Sequence, residues 1–207
     1  MNMPNSYKET KATGEFTPIQ LGGHHLIIKK VFEKNNEGNP IVNKYNQPMI
    51  IVCFDMADND VQPKYATNEV LANKEKYGKF PYWVHSCTAY ITTEKDGVCT
   101  KQFKTFTTCY AHSNGIDTDA IKWGDGFCDQ FTGKRIGGVF GEVESEYEGR
   151  RFMKHDLRWF CSDDKVDGAT IPDAKRLDGS TQPGNATPGN GEFMKIPDNV
   201  SDFVPFG

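Results

Sequence analysis

The 207-residue chain has no apolar run near the length of roughly 18 residues that a membrane-spanning helix needs, so neither such a helix nor a membrane partner is expected. Its opening segment, MNMPNSYKETKATGEF, lacks the apolar stretch of a secretory signal, and the expected compartment is the cytoplasm. No C-x-x-C pair occurs among Cys53, Cys87, Cys99, Cys109, Cys128 and Cys161, which argues against a zinc ribbon. A disulfide framework is not expected either, because a chain this long builds its own core. The cysteines read as reduced, mostly buried thiols. There is no G-x-S-x-G elbow for a nucleophilic serine. Gly133-Lys134 fails as a phosphate loop, with Cys128 where a glycine is required and Arg135 where a serine or threonine is required. Residues 58–69 imitate a calcium loop but put Pro63 where the sharp turn wants glycine. No internal repeat is visible. No reaction, cofactor or metal is expected.

A strong charge of one sign is also missing. The formal net charge is −4, and most of it lies at the end. Residues 178–207 carry Asp178, Glu192, Asp198 and Asp202 against Lys195, which leaves 23 basic and 24 acidic side chains in the rest. A nearly neutral body with an acidic tail does not exclude an anionic partner, since nucleic acid needs a local basic stripe rather than a basic total.

What is present is mostly strand pattern. Residues 1–17 read as a mobile arm and 18–177 as the folded domain. Residues 178–195, rich in Gly, Pro, Asn, Ser and Thr, read as a flexible linker. Residues 196–207 turn apolar again and read either as a docking tip or as a terminal strand packed on the body. Within the domain, strands are expected at His24–Lys34, Pro48–Ala57 and Trp83–Thr93. A long loop with a short helix near 67–76 separates the second from the third. In 101–113, Phe103, Phe106 and Tyr110 are spaced for a helix face, while three threonines favour a strand. Strands follow at Lys134–Ser145 and Arg150–Cys161, joined by the tight turn YEGR. Three strands, a helix and two strands is the order of the OB-fold, a five-stranded Greek-key barrel with a helix between strands three and four. Another small β-barrel or sandwich fits the pattern as well.

The fifth strand carries the candidate chemistry. Strict alternation puts Arg151, Met153, His155, Leu157, Trp159 and Cys161 on a core face. It puts Arg150, Phe152, Lys154, Asp156, Arg158 and Phe160 outward. Cations that follow phosphates and rings that stack on bases suit single-stranded nucleic acid. Phe152, Phe160, Tyr82 and Trp83 are the stacking candidates, and Arg150, Lys154, Arg158, Lys134 and Arg135 the phosphate candidates. Tyr45, Tyr65 and Tyr77, with Lys29, Lys30 and Lys34, are further members of the same classes. Cys109 and His112 at helical spacing make only half a zinc site. Glu142, Glu144, Glu146 and Glu148 suit either a metal nuclease or, more simply, a solvated strand edge.

Residues 133–177 resemble a family of phage and prophage proteins of Gram-positive bacteria, often labelled hypothetical or single-stranded DNA-binding. The shared pattern is G-K-x-I-G at 133–137, a Glu-rich turn, R-W-x-x-S at 158–162 and I-P-x-x-K-x-L at 171–177. KQFKTFTTCYAHSNG, residues 101–115, is similar to that family's helix and favours the helical reading. IPDNVSDFVPF, residues 196–206, resembles the acidic tip of bacterial single-stranded DNA-binding proteins. It departs in having only Asp198 and Asp202, and in Gly207 following Phe206. The resemblance implies a non-catalytic protein that protects single-stranded DNA. It also implies recruitment of replication or recombination proteins through Asp198, Asp202, Phe203, Pro205 and Phe206, with homo-oligomers plausible for a fold that covers few nucleotides. A β-rich virion or accessory module that binds protein or sugar is the alternative.

Overall fold

The computed structural model describes residues 17–72 and 86–179 and the backbone of Thr181–Gln182. The protein is mainly β, built on an open sheet that is antiparallel but for one parallel contact. Strand β1 (Gly22–Phe32) buries His24, Leu26 and Ile28 in alternation. The alternation breaks at Lys29, an extra residue between the pairs Ile28–Phe54 and Lys30–Cys53, so that Val31 takes up the core face. β2 (Met49–Met56) is buried from Ile50 onward and pairs with β3 (Cys87–Thr92) on its other side. The third strand therefore starts at Cys87 among the described residues; Tyr82 and Trp83 lie outside them.

Asp55, at the end of β2, starts the short helix α1 (Tyr65–Ala72). Its buried carboxylate accepts from the backbone N–H of Ala66 (2.8 Å) and Thr67 (3.0 Å) and from the Thr67 hydroxyl (2.6 Å). These are donors that a helix N-terminus would otherwise leave unmade. Further on, β4 (Glu94–Lys95) turns into β5 (Val98–Cys99) through Asp96 and Gly97. Their φ values of 53° and 77° are those of a two-residue hairpin turn.

Residues 101–113 form helix α2 (Lys101–Ser113), which settles the two readings of that segment. Thr100 caps it, its side chain accepting from Phe103 N at 3.1 Å. Phe103, Phe106 and Tyr110 point into the core, as their spacing predicts. There they meet Phe127 and Phe131 from the following loop, at centroid distances from 4.6 to 5.9 Å.

The long strands β6 (Arg135–Tyr147) and β7 (Arg150–Cys161) form a hairpin closed by Glu148 and Gly149, with φ of 50° and 75°. β6 pairs with β1 through Phe140, with β7 along most of its length, and with the short β8 (Ala174–Lys175) at Val143. It has neighbours on both sides as far as Val143, and from Glu144 to Tyr147 it pairs with β7 alone among the described residues. β9 (Thr181–Gln182) pairs with β8, so the segment expected to be a linker is still in the sheet at Gln182. β3, β7 and β9 are the terminal strands of the sheet, and among the described residues they pair only with β2, β6 and β8 in turn.

One buried polar cluster ties down the start of the domain. His24 is fully buried, with Nδ1 2.9 Å from Asp60 Oδ1 and Nε2 2.9 Å from the carbonyl of Gln20. Both ring nitrogens face oxygen atoms. Burial alone would raise the Asp60 carboxyl. The bond to His24, the bonds to Gln62 N and His25 N and the charge of His24 outweigh it and hold the group below its ordinary value. His155 on β7 bonds the neighbouring carbonyl of Ile19.

Candidate nucleic-acid interface

The decisive local feature is a bulge in β7. Val139 of β6 faces Trp159, and the next residue, Phe140, faces Leu157, so Arg158 is the extra residue. A bulge reverses the inward–outward parity of everything beyond it. Phe160 therefore turns inward and is 5% exposed. It packs against Phe106 at 5.2 Å and Phe54 at 6.0 Å. Trp159 turns outward and is 45% exposed. The expectation that Phe160 is a surface ring and Trp159 a core ring is thus reversed, because strict alternation holds only while the register is unbroken.

Before the bulge, the expected face exists. Cross-strand pairing puts Tyr147 opposite Arg150, Ser145 opposite Phe152 and Val143 opposite Lys154. These residues share one side of the β6–β7 ribbon with Asp156. Phe152 is half-buried, while Arg150, Lys154 and Tyr147 are exposed. The other side holds Glu142, Glu144 and Glu146 opposite His155, Met153 and Arg151. Leu157 packs against the core, and Met153 lies 3.1 Å from an Arg176 nitrogen.

The remaining cations differ in how far the fold engages them. Lys134 is exposed at the start of β6. Arg135 is engaged within the fold: its guanidinium is bound to Asp163 (3.0 Å) and Asn59 (2.8 Å). That Asp163 also meets His25 Nδ1 at 2.8 Å. Arg158 lies across Gly141 and donates to the carbonyl of Asp173 at 2.6 Å. A side chain at Gly141 would collide with it and with Pro172, at 3.1 and 2.5 Å. Lys154 is paired with Asp156 at 2.8 Å, but both are well exposed, so the pair is weak.

Between the ends of the sheet lies a groove of about 410 Å³. Its walls are Thr88 to Tyr90 of β3 and Asp156 to Phe160 of β7, and the first turn of α2 contributes Lys101 and Gln102. Tyr90 is 57% exposed. Two exposed rings, Tyr90 and Trp159, thus share a groove with a lysine at a helix N-terminus, where the macrodipole favours negative charge. Sequence reasoning missed Tyr90, Trp159 and Lys101. Tyr90 was detectable, standing between the buried Ala89 and Ile91 on an alternating strand.

The other chemistries fare less well. Among the described residues, no group of three His, Cys, Asp or Glu side chains is placed to hold a metal. Glu144 accepts from the backbone N–H of Leu177 at 3.0 Å, and Glu146 pairs with Arg151 at 3.3 Å, so these two of the four glutamates are engaged in structure. Asp60 of the calcium-like segment is spent on His24, and Asp58 pairs with Lys64 at 3.3 Å. All six cysteines are free. Burial pushes the Cys87 and Cys128 thiols up to about 12 and Cys161 to about 11, so they stay protonated and unreactive at neutral pH. Asp198, Asp202, Phe203, Pro205 and Phe206 lie outside the described residues. No helix among those residues is long and apolar enough to cross a membrane. Compared with known families and curated proteins, the chain matches no family model and no curated protein.

Proposed function

We propose that this chain is a non-catalytic single-stranded DNA-binding protein of a phage or prophage. The strand would lie along the outer side of the β6–β7 ribbon and into the groove between β3 and β7. The observation that carries the reading is the outward face itself: Tyr147, Phe152 and Trp159 interleaved with Arg150 and Lys154, and continued by Tyr90 and Lys101. Rings stack on bases without regard to sequence, and cations track the phosphates.

The pairing order supports an OB-type barrel. Counting the five long strands along the chain, they pair in the order 3-2-1-4-5, with α2 between the third and fourth. That is the OB order opened between its third and fifth strands, where the groove lies. OB domains bind oligonucleotides through the face of strands two and three and the loops after strands one and four. Here the loop after β1 displays Tyr45, which is 70% exposed, with Lys44 above its ring. The hairpin turn after β6 displays Tyr147 and Arg150. Recruitment of replication or recombination proteins through residues 196–207 belongs to the same proposal and rests on the resemblance of that tip. So does assembly into homo-oligomers, which a short binding face favours.

The test is titration of a labelled oligo-dT at several salt concentrations, read by anisotropy. Affinity should fall linearly in log salt. Phe152→Ala with Trp159→Ala should weaken binding by roughly 5- to 150-fold per lost ring, from about 1–3 kcal/mol for each stacked base. Unchanged affinity in a folded double mutant removes the proposal. A second reading, a protein-interaction module, is favoured by the outer edges of β3 and β7, which no further strand among the described residues covers and to which an extended peptide can add. It gives no steep salt dependence with oligo-dT.

A further inference from the structure

A different aromatic surface stands in the loop after α2, and none of its residues lines the groove. Trp123 is 63% exposed, yet it is rigidly seated. Its ring stacks on the buried Phe127, with centroids 5.1 Å apart and planes 13° from parallel, and the buried Phe103 meets it at 6.2 Å. The Gln130 amide holds the backbone on both sides. Its oxygen accepts from Lys122 N at 3.1 Å, and its nitrogen donates to the carbonyls of Lys122 and Phe127, each at 2.8 Å. One indole face is thus covered by Phe127, Phe103 meets the ring at a steep angle, and most of the side chain is held out in water. A ring fixed in this way loses little freedom when something lands on it.

The surroundings select what lands. Residues 114–133 carry Asp117, Asp119, Asp125 and Asp129 against Lys122 alone, and all four carboxylates are exposed. Lys30 reaches Asp129 at 3.5 Å, an exposed and screened contact. A loop with this charge balance disfavours phosphate. A cation is drawn by the carboxylates and by the π face together. We infer that Trp123, with Asp117, Asp119 and Asp125, is a docking surface for an arginine-bearing segment of a protein partner, the guanidinium lying flat on the indole. Arginine is favoured over lysine because its planar group stacks as well as attracts.

This inference does not depend on the DNA-binding reading, and one experiment separates them. A labelled, arginine-rich short peptide is titrated into the full chain, with a lysine peptide of equal charge beside it and oligo-dT as the third ligand. The arginine peptide should bind more tightly than the lysine one. Trp123→Ala should weaken it by about fivefold or more, from roughly 1 kcal/mol for a ring–cation contact, and Asp119→Asn with Asp125→Asn should weaken it too. Affinity for oligo-dT should not change in Trp123→Ala. If that variant fails to fold, Trp123→Leu keeps the apolar cover without the π face and should show the same loss. Equal peptide affinity in wild type and variant overturns the inference. So does loss of oligo-dT affinity in Trp123→Ala, or a self-associated wild type that the substitution dissociates, which assigns the surface to a second copy of the chain.

Discussion

Replacing two neighbouring aromatic residues, Trp159 and Phe160, by alanine should produce opposite phenotypes, because the bulge at Arg158 sends one ring out and the other in. Phe160 is 5% exposed and touches Phe54 and Phe106 in the core. Truncating a core Phe costs about 3–5 kcal/mol, as lost transfer energy plus the cavity left behind. For a chain of this size each kcal/mol lowers Tm by about 2–4 °C. Phe160→Ala should therefore melt roughly 6–20 °C lower, while the fraction still folded binds oligo-dT with wild-type affinity. Trp159 has nearly half its surface in water. Its loss should lower Tm by only a few degrees, from about 1 kcal/mol of lost burial, and should weaken oligo-dT binding. Calorimetry supplies Tm, and anisotropy below the melting range supplies affinity. If Phe160→Ala keeps the wild-type Tm and loses DNA binding, alternation runs unbroken through Arg158 and the bulge argument is wrong.

Other expectations follow from single contacts. Asp60 has a folded-state carboxyl below its ordinary value. Its stabilising effect is therefore complete above the unfolded value near 3.9 and is lost as pH falls through the folded one. Urea midpoints should drop below about pH 4, and Asp60→Asn should flatten that decline while costing about 3 kcal/mol at neutral pH. Gly23→Ala would place its Cβ 2.2 Å from the Val166 carbonyl oxygen, a backbone atom that cannot swing aside. An overpacking loss of about 1–3 kcal/mol should appear in chemical denaturation. Thr100→Ala removes the cap of α2 and should cost about 1 kcal/mol by the same measurement. Lys101→Glu should reduce the salt slope of oligo-dT binding without changing Tm by more than a degree or two, since the side chain is exposed beside the groove.

Periodicity and turn chemistry, which act over a few residues, were legible in the amino-acid order. The spacing of Phe103, Phe106 and Tyr110 carried the helix at 101–113, though three threonines in the same stretch left a strand open. The hairpin of β6 and β7 follows from their patterning and the Glu148-Gly149 turn, whereas the short hairpin of β4 and β5 was not foreseen. The choice of face along β7 was legible only as far as Leu157, because an extra residue in a strand leaves no mark in its own composition and is defined by what pairs opposite it. The fate of the charged groups was likewise decided by the fold. Arg135 is taken by Asp163, twenty-eight positions away, and Asp60 by His24, thirty-six positions away. The groove joins Tyr90, Lys101 and Trp159 from three separate elements. Such long-range pairings depend on sheet order and register, and those are properties of the assembled chain rather than of any stretch of it.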